Sequence, residues 1–316
     1  MKKWLLAIPA AALAGGYWGF QYACKRIPDP DWDSEEDLKK GIYAEFADSI
    51  PVAQKWLRDH NAVDVQTCSF DGLTLRGKWV PAKEPKATII LFHGYHTHYI
   101  HDFAGIFSMY HSIGLNLLLV RQRAHGESEG KYITFGVRER KDAVSWVEFH
   151  NREHGMDNVY LGGMSMGAST VLFAAGEDLP PNVRGITADC GFSSPAEIMG
   201  HIIRKDFHLP ARLVLPLMEV WARALGGFSL WACSSRETLA RSKTPVIFIH
   251  GKGDTFVPCH MSQAGYDACV SEKELLLVEQ AGHGKSYLYE PDRLTRALVD
   301  FFNRHLSDEY ILEDNT

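Results

Sequence analysis

The chain has 316 residues, 46% hydrophobic and 23% charged, a composition typical of a folded globular protein rather than a disordered one. Its formal net charge of −6 argues against nucleic-acid binding, because that function relies on clusters of Lys and Arg that neutralise phosphates. The six cysteines contain no CxxC pair, so we expect neither a zinc site nor a dense disulfide framework.

The N-terminus has the features of a membrane anchor. Between Lys3 and Lys25 the segment WLLAIPAAALAGGYWGFQYA carries no charge, and its length is close to that of a bilayer span. We therefore predict a single-pass anchor in residues 1–26 that holds the protein at the cell membrane. Lys2 and Lys3 favour a cytoplasmic N-terminus and an extracytoplasmic main domain. Small residues around Ala12 leave an alternative open, in which a signal peptide is cleaved and the protein is secreted.

The next part of the chain predicts an α/β domain. Residues 27–61 pass from a Pro/Asp linker into a polar pattern typical of a covering helix, and Asp71 and Gly72 then mark the turn of a β-hairpin. Apolar runs of strand length follow, alternating with helix-length segments; the runs are ATIILF, LNLLLV, NVYLGG, VRGITAD, PVIFIH and ELLLVE. This alternation predicts a mostly parallel, eight-stranded sheet with helices on both faces in residues 62–306, followed by a tail at 307–316.

One interval interrupts this alternation. Residues 195–241 contain no strand-like run, only a helical, aromatic-rich stretch cut by Pro210 and Pro216. Ligands of open α/β sheets bind at the carboxyl ends of the strands, so an insertion there predicts a helical lid over the binding crevice. The alternative is a group of packing helices with no role in substrate selection.

The pentapeptide GMSMG places Ser165 between a predicted strand and a predicted helix. Glycines at positions 163 and 167 allow the sharp turn that lifts a serine hydroxyl clear of the sheet, the Gly-x-Ser-x-Gly arrangement of a nucleophile. A serine hydroxyl also needs a base and a group that orients the base. Asp254 and His283 follow the next-to-last and last predicted strands, so both should emerge at the same edge of the sheet as Ser165.

A developing oxyanion also requires hydrogen-bond donors. The strand ending at Phe92 turns through His93 and Gly94, which directs the backbone amide of Tyr95 towards the site, and the amide of Met166 lies at the start of the following helix. We therefore predict Tyr95 and Met166 as the oxyanion-hole donors.

These motifs, with the segments RQRAHGESEG, TADCGFSSP and AGHGKSY, resemble the α/β-hydrolase superfamily over about residues 62–306. The chain is similar to bacterial membrane-anchored serine hydrolases related to the catalytic domains of dipeptidyl aminopeptidase and acylaminoacyl peptidase. Ala124 stands where glycine is commoner. The resemblance implies the α/β-hydrolase fold and a set of roles: Ser165 as nucleophile, Asp254 as acid, His283 as base, and Tyr95 and Met166 as oxyanion donors.

We expect hydrolysis of carboxylic esters, with a small-molecule or lipid-like acyl substrate and no cofactor. A serine peptidase or amidase with the same residues is the alternative, and a non-catalytic binding module on the same fold is a further one. The loop after the first parallel strand also holds His93, His96, His98 and His101. Because carboxylate or cysteine partners are missing from this cluster, we predict that these histidines line the mouth of the cleft and hold no metal.

Overall fold

The computed structural model describes residues 3–29 and 49–306, and an eight-stranded sheet forms the centre of this part of the molecule. The strands are β1 (Val63–Cys68), β2 (Thr74–Val80), β3 (Ala87–Phe92), β4 (Leu115–Val120), β5 (Val159–Met164), β6 (Val183–Asp189), β7 (Val246–Gly251) and β8 (Lys273–Val278). Across the sheet their order is β1-β2-β4-β3-β5-β6-β7-β8. The hairpin of β1 and β2 pairs antiparallel with β4, and all the later pairings are parallel, so the predicted sheet is confirmed.

The strands can be apolar along their whole length because helices cover both faces of the sheet. Every residue of β3, β4 and β7 is buried. Along β3, Ile89 and Leu91 join one hydrophobic core, while Ile90 and Phe92 join another on the opposite face. This alternation follows from the two-residue period of a strand, and it gives the protein two cores separated by the sheet.

The covering helices lie before the first strand, between the strands and after the last strand. They are α2 (Ser49–Asp59), α3 (Tyr99–Phe103), α4 (Phe107–Ser112), α5 (Glu139–His154), α6 (Met166–Ala174), α10 (His260–Ala268), α11 (Ser286–Tyr289) and α12 (Pro291–His305). The largest of the C-terminal ones, α12, buries Leu298, Phe301 and Phe302 against the core that includes Ile89. Apolar residues at this spacing lie on one face of a helix, which explains its docking on the sheet.

The interval between β6 and β7 is helical. It contains α7 (Pro195–Lys205), α8 (Ala211–Trp221), a π-helical turn at Ala222–Gly226 and α9 (Ser235–Leu239). Ser194 begins α7 by accepting a hydrogen bond from the backbone N–H of Glu197 at 3.2 Å. We call α7, α8 and the π-helical turn the lid, and its buried side chains form a third core with residues above the carboxyl ends of the strands.

The N-terminal helix α1 (Lys3–Cys24) differs from the prediction. None of the helices in the described ranges is both long enough and apolar enough to cross a membrane. The predicted anchor in residues 1–26 is therefore not supported, and with it the predicted location at the cell membrane. The sequence explains the error: the uncharged segment has the length of a span, but much of it is alanine and glycine, which contribute little apolar surface.

Helix α1 packs on α8 of the lid. A Cβ atom at Gly16 would lie 2.6 Å from Cβ of Leu217 and 2.7 Å from its backbone, so this glycine permits the close approach of the two helices. Trp221 donates a hydrogen bond from Nε1 to the carbonyl oxygen of Leu13 at 2.9 Å. Phe20 and Cys24 are fully buried in the third core. These contacts make α1 part of the covering structure.

The chain after α1 is tied to the loop that follows β4. The carbonyl of Cys24 accepts a hydrogen bond from the N–H of Ile133 at 2.7 Å, and the N–H of Arg26 donates to Lys131 at 3.1 Å. The guanidinium of Arg121 pairs with the carboxylate of Asp29. Most of the predicted connector in residues 27–61 and the predicted tail at 307–316 lie outside the described residues, so these domain boundaries stay predictions.

Candidate active site

Ser165 lies in a strained turn between β5 and α6. Its backbone has φ 55° and ψ −115°, a left-handed conformation that L-residues adopt rarely. A Cβ atom at position 163 would lie 2.3 Å from the backbone of Gly167, and one at position 167 would lie 1.8 Å from the carbonyl oxygen of Phe92. Both glycines of the pentapeptide are therefore required by close backbone approach, as the sequence pattern predicts.

The structure brings three of the predicted site residues into one hydrogen-bonded series. His283 Nε2 lies 2.9 Å from Ser165 Oγ, and His283 Nδ1 lies 2.6 Å from Asp254 Oδ2. Because a carboxylate only accepts hydrogen bonds, Nδ1 carries the proton in this arrangement and Nε2 is free to accept the serine proton. The sheet accounts for this meeting, since β5, β7 and β8 are parallel and the three residues follow their carboxyl ends.

Asp254 is surrounded by donors. Its Oδ1 atom accepts hydrogen bonds from the backbone N–H groups of Phe256 at 2.8 Å and Val257 at 2.9 Å, and His250 Nε2 lies 3.2 Å from Oδ2. Burial alone raises the pKa of Asp254, but the hydrogen bonds from His250, His283 and Val257 outweigh burial and hold the pKa well below its usual range. The carboxylate therefore stays ionised beside His283 at neutral pH.

The sequence did not point to His250, which is fully buried at the end of β7. Its Nε2 atom has two acceptors, Asp254 Oδ2 and the carbonyl oxygen of Val257 at 2.9 Å, so Nε2 carries a proton and donates. Its Nδ1 atom lies 2.7 Å from Ser262 Oγ. Only the strand position of this histidine could have been predicted, because its partners come from a loop and from α10.

The predicted oxyanion-hole residues lie next to Ser165. A Cβ atom at Gly94 would lie 3.3 Å from Cβ of Ser165, so the loop after β3 passes directly beside the serine. Tyr95 lines the same cavity as Ser165, and Met166 is the first residue of α6 and is fully buried. Positive electrostatic potential at the helix start would favour an anion at this position.

Asp102 holds this loop in place, and the sequence analysis missed it. The backbone N–H of Gly94 donates to Asp102 Oδ2 at 2.5 Å, and the hydroxyl of Thr97 donates to the same oxygen at 2.8 Å. The other carboxylate oxygen lies 2.6 Å from His101 Nδ1, so the expectation that the histidine cluster has no carboxylate partner is wrong. Asp102 follows Gly94 by only eight residues, but the contact depends on a helix that folds back on the loop, and the sequence pattern does not show this.

The loop histidines make separate contacts. His93 Nδ1 lies 2.8 Å from the carbonyl oxygen of Gly94, and His98 Nδ1 accepts the N–H of Ile100 at 3.0 Å. Burial lowers the pKa values of His93 and His98 well below the usual range and that of His96 to about 4. His96 lines the cavity that contains Ser165, whereas His93 and His98 are buried and His101 is not part of its lining, so the predicted position at the cleft mouth fits His96 alone among the four.

In the described ranges, one group of side chains has atoms close enough together for a metal ion. It comprises Cys190, Asp254 and His283, whose potential ligand atoms all lie within 4.8 Å of one another. Asp254 and His283 already share a short hydrogen bond of 2.6 Å, and burial raises the pKa of the Cys190 thiol well above its usual value. A metal would have to displace both protons, so the donor set does not fit a resident ion.

A large cavity opens beside Ser165. Its volume is about 710 Å³, within the range of ligand sites in proteins. The lid contributes Ile198, Met199, Ile203 and Met218, and Phe135 and Phe192 line the cavity from loops after β4 and β6. The charged residues of the lining are Lys25 and Asp206. The cavity therefore offers a mostly apolar surface next to a serine hydroxyl.

A nucleophile-elbow turn, an eight-stranded sheet of this order and a Ser-His-Asp series at the strand ends are together typical of the α/β-hydrolase fold. Comparison with known structures agrees. The esterase Pf2001 of Pyrococcus furiosus superimposes with a TM-score of 0.64 at 23% identity, covering 79% of this chain and 96% of the esterase. An acylaminoacyl peptidase of Pyrococcus horikoshii superimposes with a TM-score of 0.55 at 16% identity, covering 80% of this chain and 43% of the peptidase. The chain therefore has the α/β-hydrolase fold.

Comparison of sequences finds a matching family and matching relatives. Residues 83–226 match the family described as serine aminopeptidase, S33. The protein YqkD of Bacillus subtilis is 26% identical over 235 residues, which cover 73% of this chain and 76% of YqkD. The family match includes Ser165 and the loop after β3, whereas Asp254 and His283 lie beyond its end.

Proposed function

We propose that the protein is a serine hydrolase that cleaves carboxylic esters through an acyl-enzyme intermediate on Ser165. The observation that carries this proposal is the pair of distances that link Ser165 to His283 and His283 to Asp254, 2.9 Å and 2.6 Å. Both lie within the range over which a base can take a proton from a nucleophile.

The reaction begins when His283 Nε2 takes the proton of Ser165 as the serine oxygen attacks the acyl carbon. The tetrahedral anion is stabilised by the backbone N–H groups of Tyr95 and Met166. His283 then protonates the leaving alcohol, which departs and leaves the acyl group on Ser165. Water attacks the acyl-enzyme with His283 as base, and the serine and the free acid are released. Asp254 stabilises the imidazolium that forms twice in this cycle.

An ester with an apolar acyl group suits the cavity best. Its lining is mostly apolar, and its charged residues, Lys25 and Asp206, are one cation and one anion. An aminopeptidase would need acidic groups close to the serine to hold a substrate ammonium. The one acidic residue that the described part of the chain contributes to the lining, Asp206, is at the exposed C-terminal end of α7. A peptidase or amidase is nevertheless the second candidate, because the family match and the acylaminoacyl peptidase likeness favour it.

The test uses a fluorophosphonate probe and a panel of p-nitrophenyl esters and peptide anilides. We expect labelling of the wild-type protein, loss of labelling in Ser165→Ala, and higher kcat/KM for esters than for anilides. Faster anilide cleavage would favour the peptidase. An unlabelled wild-type protein that cleaves neither class would instead indicate a binding module.

A further inference from the structure

Helix α1 forms one wall of the cavity beside Ser165. It contributes Gly15, Trp18, Gly19, Tyr22 and Ala23 to the lining, together with the lid on the opposite side. The wall is continuous with the active site, because the hydroxyl of Tyr95 donates to the carbonyl oxygen of Ala23 at 2.8 Å. Residues far from the hydrolase motifs in the sequence therefore border the space where a substrate would lie.

The wall has a defined length. Gly15 precedes Ala23 by eight residues, which corresponds to a rise of about 12 Å along an α-helix. Ala23 lies at the Tyr95 end of this wall, and Gly15 lies at the other end. We expect a short acyl group bound at the serine to stop before Gly15 and a long acyl chain to reach it.

Space is left open at that far end. A Cβ atom built on Gly15 would have no heavy atom within 4 Å, whereas one built on Gly19 would meet the side chain of Met218 at 3.3 Å. Gly15 lines the cavity and is exposed, so a larger side chain has room there, and we expect it to narrow this end of the cavity. Its neighbour Gly16 faces the backbone of the lid, and the absence of a side chain there allows α1 to pack closely on α8.

Aromatic side chains border the outer part of the same wall. Tyr22 of α1 contacts Phe207 after α7 edge to face, with ring centroids 5.7 Å apart, and Trp18 stacks on Tyr22 at 5.9 Å. All three rings line the cavity and are also exposed to solvent. This combination suits an apolar chain that enters from water and is desolvated between α1 and the lid.

We propose that α1 is the wall of the acyl-binding site and that Gly15 sets the length of acyl chain that the site accepts, with long unbranched acyl esters as the substrate class. This inference rests on the proposed function for the reaction, and a binding measurement tests the role of α1 without catalysis.

The experiment compares Gly15→Leu with Ala14→Leu in the full chain. Ala14 is the exposed neighbour of Gly15 and is not part of the cavity lining in the described part of α1. The first measurement is kcat/KM for p-nitrophenyl decanoate relative to p-nitrophenyl acetate. The second is calorimetric binding of decanamide to each variant combined with Ser165→Ala, which needs no catalysis. Circular dichroism verifies folding, and Trp18→Ala provides a second variant that removes apolar wall surface.

We expect Gly15→Leu to lower the decanoate-to-acetate ratio about tenfold and to weaken decanamide binding by a similar factor. Ala14→Leu should change both quantities by less than about twofold. Trp18→Ala should also weaken decanamide binding. If Gly15→Leu and Trp18→Ala both bind decanamide as Ala14→Leu does, the inference is wrong. If the wild-type protein cleaves neither ester, the proposed function fails, and the binding measurement still decides the role of α1.

Discussion

The strand-end loops and the cover over them are built in different ways. Ser165, Asp254 and His283 each follow a parallel strand, so the backbone of the sheet fixes their positions. The cover consists of α1 and the lid, which are separated by more than a hundred residues and meet through side-chain packing. Under the proposed function, we expect the reaction to depend on local motifs on a rigid frame, and the choice of substrate to depend on packing between remote segments.

The largest expected effect concerns the strand-end residues. Ser165→Ala and His283→Ala should each lower kcat for a short p-nitrophenyl ester by about 10⁶-fold, because each removes the proton-transfer pair. Residues that act as one unit are not additive, so the double variant should be no slower than either single variant. Steady-state kinetics on folded proteins measures this. A further large loss in the double variant would mean that the two residues act separately.

Asp102 provides the next test, because it fixes the loop that carries Tyr95. Asp102→Ala removes the acceptor of the Gly94 N–H, so kcat should fall by about 100-fold while KM changes little. Asp102→Asn keeps an acceptor oxygen and should restore most of the activity. The exposed Asp59→Ala is the matched control. A loss of kcat that is accompanied by a matching loss in the free energy of unfolding, with no rescue in Asp102→Asn, would indicate only a structural role.

The strand-end loops were easier to predict from the sequence than the cover, because local motifs specify the loops. The pentapeptide around Ser165 and the apolar runs indicated the sheet, the turn and the edge where Asp254 and His283 emerge. The contacts of His250 and Asp102 could not be predicted, because each depends on how loops fold back on the sheet. Ala124 has φ 60°, and this left-handed conformation explains why glycine is commoner at its position.

The N-terminal segment shows the limit of reading periodicity and length. A long uncharged helix satisfies the length criterion for a bilayer span and also the needs of a helix packed between lid and loops. Gly16 indicates a packed helix rather than a membrane span only when its contact partner is known. That partner, Leu217, lies about two hundred residues further along the chain. Long-range packing of this kind has no local sequence signal.

Gly16→Leu tests the packing of α1 on the lid and leaves Ser165, Asp254 and His283 unchanged. The added side chain would collide with the backbone of Leu217, and overpacking of this kind costs about 1–3 kcal/mol. We expect α1 to separate from α8, faster proteolysis within α1, and about a tenfold loss of kcat/KM for p-nitrophenyl decanoate. Ala14→Leu again serves as the control. Unchanged proteolysis and unchanged decanoate turnover would contradict the packing described for α1.

The smallest expected effect is on the free energy of unfolding, through the hydrogen bond that links α1 to the loop after β3. Tyr95→Phe removes the hydrogen bond to the carbonyl of Ala23 and should lower the free energy of unfolding by about 1 kcal/mol. Urea titration measures this change. The same substitution at Tyr289, which is 52% exposed, should leave stability nearly unaltered. Equal effects at the two positions would mean that the Tyr95 hydroxyl does not link α1 to the loop.

The most direct measurement of the central claim is to trap the acyl-enzyme. The protein is mixed with p-nitrophenyl decanoate, quenched in acid during the initial burst of p-nitrophenol, digested and analysed by mass spectrometry. The account predicts the decanoyl group on the peptide that contains Ser165, with accumulation reduced strongly in His283→Ala. Turnover of the ester with the acyl group on another residue, or with equal acylation in His283→Ala, would contradict it.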